Sequence, residues 1–147
     1  ARTVRRQSFD GNFFVDNAIR QNGKLVLSGE RTEVCQYYAF FFDIATPETH
    51  GELFKVLLDD FGPGRQMAGK WPEIWPANAF VGNYMRLEIL LRYGFKKVLL
   101  DNIEVYFLYM AEQTGTVWEN VTSTASCNHG FASHVLVWLD ALNKHSE

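Results

Sequence analysis

Residues 116–134 read TVWENVTSTASCNHGFASH and set a carboxylate, a thiol and two histidines into one connection that begins after Gly115. The chemistry on offer is proton transfer and hydroxyl binding. Glu119 can take or give a proton, and a carboxyl held against the indole of Trp118 would lose part of its hydration, which favours the protonated form. His129, as a neutral imidazole, offers one donor and one acceptor to a hydroxyl. Each residue also has a plainer reading. A loop glutamate is ordinarily solvated, and a histidine here can pack or cap at the start of the next helix. Asn128 suits a helix N-cap as readily as a ligand contact. His134, further along, reads as structural.

Three other residue groups could serve the same chemistry. Trp71, Trp75 and Trp118 can stack on the apolar face of a pyranose, or on the methyl group of a 6-deoxy sugar, although tryptophans are also ordinary core. Glu30, Arg31 and Glu33 lie together before a helical pattern. Arg31 can hold a carboxylate in a site or form a helix-end ion pair.

Periodicity says which elements must position these groups. Apolar spacing predicts helices over about residues 4–20, 31–44, 49–61, 77–93, 96–113 and 129–143. Asn22-Gly23 reads as the stop of the first, Thr46-Pro47 as the break after the second, and Thr49 with Glu52 as a capping box for the third. Lys24–Leu27 is the one stretch that could be extended. Connections alternate long and short, so antiparallel helical hairpins should bring the Glu33, Trp71 and Glu119 groups to one end of an all-α array.

Thr116, Trp118 and Glu119, followed by Ser126, Asn128 and His129, resemble the C-terminal part of the catalytic domain of bacterial α-L-rhamnosidases, glycoside hydrolase family 78. The match is specific over residues 116–134 and looser elsewhere. It implies a barrel of six helical hairpins, an (α/α)6 toroid, of which this chain would be about half. It also implies inversion at the sugar with Glu119 as general base, and a general acid upstream of the residues present. Trp118, Asn128, His129, Trp71, Trp75, Glu33 and Arg31 become candidate substrate contacts. The implied partners are a rhamnose-containing oligosaccharide or glycoside and the remainder of the catalytic domain. Other readings of the same residues are a noncatalytic helical domain that binds carbohydrate or protein, or another toroidal enzyme acting on polysaccharide.

Composition sets outer bounds. The chain has 147 residues, 47% of them hydrophobic, enough for a sizeable core and expected as one compact domain. A net charge of −3 gives no case for nucleic acid or an anionic membrane, and no apolar run reaches the length of a span. Cys35 and Cys127 are far apart and lack metal-ligand spacing, so free thiols are expected. No cofactor is called for, which leaves open only a calcium ion held by loop oxygens. The start at Ala1 within a helical pattern suggests a fragment, and a compartment is not indicated. Asn120-Val121-Thr122 fits a glycosylation sequon, a match too short to carry weight.

Overall fold

The computed structural model describes residues 2–65, 68–78, 80–120 and 125–144, so Val121 and Thr122 of the sequon lie outside the described residues. The chain is mostly helical with a small two-stranded sheet. Its contacts fall into two compact units, Ala1–Phe61 with Arg65–Pro76, and Gly62–Gly64 with Ala77–Glu147.

In the first unit, helix α1 spans Arg2–Ser8 and stops well short of residue 20. The reason lies in Asp10 and Gly11. One Asp10 oxygen accepts the backbone N–H groups of Asn12 and Phe13, both at 2.9 Å, and Gly11 sits at φ 111°. A side chain that satisfies local amides in this way competes with the helix. Phe13, Phe14 and Val15 then enter the core. The buried Gln36 accepts the N–H of Phe14 and donates to its carbonyl, each at 2.8 Å.

Asn22-Gly23 is a hairpin turn rather than a helix stop. Strand β1, Ala18–Gln21, pairs antiparallel with β2, Lys24–Leu27. Asn22 and Gly23 take φ values of 49° and 79°, the pair of positive angles a type I′ turn requires. The all-α expectation is corrected to this extent.

Helix α2, Glu33–Phe41, is capped by Thr32, whose hydroxyl accepts the Cys35 N–H at 3.0 Å. Helix α3 is Gly51–Asp59. The expected capping box at its start is absent. The Thr49 hydroxyl accepts the Thr46 N–H at 3.0 Å within the Thr-Pro turn, and His50 takes the cap position without a side-chain bond to the helix amides. Tyr37, Phe40, Leu53, Phe54 and Leu57 from the two helices are buried together with Phe61. Each contributes about 1.5–3 kcal/mol in area terms.

In the second unit, α4 (Val81–Arg92) turns through Gly94, at φ 81°, into α5 (Lys96–Ile103). A π-helical turn, Glu104–Leu108, and α6, Tyr109–Thr114, continue that run until Gly115 ends it in the left-handed conformation. A 3-10 turn, Gly130–His134, leads into α7, Val135–Lys144. Leu87, Ile89, Leu90, Leu99, Met110 and Trp138 form the core. Gly62 also belongs to this unit. It lies against the buried Arg86, where a Cβ would come within 2.9 Å of Nε, and at φ 107° no other residue fits comfortably.

Candidate functional site

The polar connection of the second unit is held by its own backbone. Residues 116–119 and 126–129 run against each other, with the Glu119 N–H on the Ser126 carbonyl at 2.9 Å and the His129 N–H on the Val117 carbonyl at 2.8 Å. The Thr116 hydroxyl donates to the Cys127 carbonyl across the same pair. Glu119 and His129 therefore leave adjacent segments, both half-buried. Among the described residues the Glu119 carboxylate has no hydrogen-bond or ion-pair partner.

Trp118 is turned into the fold. It is 4% exposed, its indole N–H donates to the Thr114 hydroxyl at 2.8 Å, and its ring meets Tyr109 edge-on at 5.9 Å. The ring anchors the loop to α6 and leaves almost no surface on which a sugar could stack. Asn128 is exposed and does not cap the helix, since His129 occupies the cap position. Ser126 and Asn128 instead bond to each other, hydroxyl to carbonyl at 3.2 Å. The His129 ring packs against Phe80, centroids 4.6 Å apart.

His134 is enclosed by Tyr84, Phe107, Phe131 and Trp138. Its Nε2 meets the Phe80 carbonyl at 3.1 Å, so Nε2 carries the proton, and Nδ1 is buried with no partner among the described residues. Desolvation pushes this imidazole down to about 4, against the opposing pull of the Phe80 carbonyl. The residue is structural and neutral at ordinary pH.

In the first unit, the Arg31 and Trp71 groups come together. Trp75 bridges to Thr32, with the Glu33 N–H on the Trp75 carbonyl at 2.9 Å and the Trp75 N–H on the Arg31 carbonyl at 3.0 Å. Trp75 is 66% exposed and offers its ring to solvent. Glu33 is turned inward and leaves little surface for a substrate contact. It is 2% exposed, accepts the Tyr37 hydroxyl on one oxygen and takes Arg65 Nε on the other at 3.2 Å.

Arg65, which sequence reading passed over, is the organiser of the Trp-Pro connection. Its remaining N–H groups donate to the carbonyls of Lys70 at 3.1 Å, Trp71 at 2.7 Å and Ile74 at 2.8 Å. Asp60 fixes the same loop from outside. It accepts Lys70 Nζ at 2.5 Å and the Trp71 indole N–H at 2.9 Å, and these two bonds hold its carboxyl below the usual range.

A cleft of about 900 Å³ opens in this unit, walled by Phe9, Phe13, Arg31, His50 and Trp71. Asp10 lies in it and binds Arg31 through Oδ2, at 2.8 Å to Nε and 2.5 Å to Nη2. Burial alone would raise the Asp10 carboxyl, but the Phe13 and Asn12 amides and the Arg31 guanidinium outweigh it and hold the group low. Arg31 thus keeps the carboxylate of Asp10 rather than one from its own Glu30-Glu33 neighbourhood. Asp10-Gly11-Asn12 is a turn signature that could have pointed to this wall, whereas His50 carried no local signal.

Among the described residues, no group of three or more His, Cys, Asp or Glu side chains is arranged to hold a metal ion. No helix among them is long and apolar enough to cross a membrane. No family model, curated protein or solved structure matches this chain.

Proposed function

We propose that this chain is part of the catalytic barrel of an inverting glycoside hydrolase acting on terminal α-L-rhamnosides, with Glu119 as general base. The observation that carries the reading is the hydrogen-bonded pairing of residues 116–119 with 126–129. It sets the two halves of the rhamnosidase-like motif side by side, with a carboxylate and an imidazole on neighbouring segments. In an inverting reaction, such a carboxylate takes a proton from water as the water attacks the anomeric carbon, while a separate acid protonates the leaving oxygen. His129 supplies a hydroxyl contact, and the general acid comes from another part of the barrel.

The fold half of the proposal is that the helices form about half of an (α/α)6 toroid. Its support is the short turn through Gly94 that joins α4 to α5 and the apolar surface left on the second unit, where Leu136 and Val137 of α7 are each 64% exposed. The remainder of the catalytic domain would cover that surface.

The test is hydrolysis of aryl α-L-rhamnosides by the intact parent enzyme. Glu119→Gln should lower turnover by about a hundredfold or more, the typical contribution of an acid or base group. Near-normal turnover refutes the base assignment. The configuration of the first-formed sugar, read by proton NMR, must be inverted.

A further inference from the structure

The cleft of the first unit has a chemistry of its own, set by which of its polar groups are already occupied. Asp10 is saturated: Oδ1 accepts the Asn12 and Phe13 amides, and Oδ2 accepts Nε and Nη2 of Arg31. Four donors fill the four lone-pair sites of a carboxylate. The residue is neither a free base nor an unpaired charge. Arg31 gives a further N–H to the Gly29 carbonyl at 3.2 Å, which leaves two of its five N–H groups for a ligand.

Trp71 offers a different surface. Its indole N–H is taken by Asp60, so the ring can present only its apolar area. Its backbone stands at φ 51°, a region a bulky residue seldom adopts, and Arg65 holds it there through the Trp71 carbonyl. The ring is half-buried and meets Phe13 edge-on at 5.1 Å.

His50 completes the wall. Desolvation and the charge of Arg5 lower its pKa, so the ring is neutral at ordinary pH. Nδ1 meets the Thr49 hydroxyl at 2.9 Å, and Nε2 has no partner among the described residues. The exposed Glu52 and Glu73 line the rim and add negative charge. An apolar ring surface, a few directional donors and acceptors, an internally neutralised ion pair and an acidic rim disfavour an anion and suit a neutral ring bearing hydroxyls.

We propose that this cleft binds a neutral hexose or 6-deoxyhexose ring, stacked on Trp71 and hydrogen-bonded through Arg31, Asn12 and His50. The geometry is that of the first unit alone. The proposal shares the sugar class with the glycosidase reading and is independent of the assignment of Glu119.

The experiment is a titration of the ¹⁵N-labelled chain with methyl α-L-rhamnopyranoside, methyl α-D-glucopyranoside and D-galacturonate, followed by amide and indole resonances. A neutral glycoside should shift the Trp71 indole and the Asn12 amide saturably in the millimolar range, with galacturonate about tenfold weaker or more. Trp71→Ala should weaken binding about tenfold. Asn12→Ala, which keeps the backbone amide that Asp10 needs, should weaken it about two- to fivefold and decides the matter if Trp71→Ala unfolds. Glu119→Gln should bind as the parent does. Cleft resonances that stay still with both neutral glycosides, or galacturonate binding as tightly as they do, overturns the proposal. Normal Glu119-dependent turnover with a silent cleft sinks this inference alone, and the reverse result sinks the catalytic one alone.

Discussion

Replacing Arg65 with methionine removes the one buried guanidinium that ties α2 to the Trp-Pro connection. The side chain is 4% exposed and donates to the Glu33 carboxylate and to three backbone carbonyls. Methionine keeps much of the volume but leaves the Glu33 carboxylate in the core without its guanidinium, and takes the Arg65 donors from the carbonyls of Lys70, Trp71 and Ile74. Breaking a buried pair from one side typically costs about 3–5 kcal/mol, a large part of the roughly 5–15 kcal/mol a domain has in all. Urea unfolding of Arg65→Met against the parent should show that loss. Trypsin should also cut after Lys70 faster, because the loop that presents it has lost its anchor. Adding Glu33→Gln should return about 0.5–3 kcal/mol, the usual coupling between contacting residues. A loss below about 1 kcal/mol, or strict additivity in the double variant, refutes the claim that this pair organises the loop.

The pH dependence of His134 has a definite sign. Its pKa falls from 6.5 to about 4 on folding, so the unfolded chain takes up the proton first. The stabilisation is complete above about 6.5 and is lost as the pH falls towards 4. The full gap corresponds to about 3 kcal/mol, and solvent screening of a partly exposed ring brings this to about 1–2 kcal/mol. Urea midpoints of the parent should drop across that window relative to His134→Gln, and equal slopes in the two proteins would count against the assignment. For the thiols, burial and the neighbouring Asp16 push Cys35 up to about 12. A disulfide reagent at pH 8 should therefore label Cys127 first in the folded chain, and equal rates would contradict the burial of Cys35.

Periodicity located most helices because their apolar stripes are long enough to average over local exceptions. The run 96–113 appears as α5, the π turn and α6, and residues 129–143 as the 3-10 turn and α7. It failed over residues 4–20, where Phe9, Phe13 and Ile19 mimic helical spacing. The deciding interactions there are the Asp10 turn and the buried Gln36, one local and polar, the other remote in sequence. Asn22-Gly23 was ambiguous in the same way, since one dipeptide can end a helix or join two strands. The polar connection 116–134 was legible as a loop between two helices, but the pairing of its two ends was not, because it is made by backbone groups that residue types do not announce. The roles of Trp118 and Glu33 were not legible either, because burial and a distant partner such as Arg65 leave no mark on neighbouring residues.

The π turn at Glu104–Leu108 sets the rotational phase of everything after it. Met110 and Thr114 lie beyond it in α6, and they receive the backbone and indole N–H groups of Trp118. The widened turn takes up one extra residue, so the acceptors beyond it keep nearly the angular positions that a regular α-helix one residue shorter would give them. An extra residue in α5 with no such turn to absorb it would swing both by about 100° around the axis, and the loop bearing Glu119 would hang from the wrong side of its own helix.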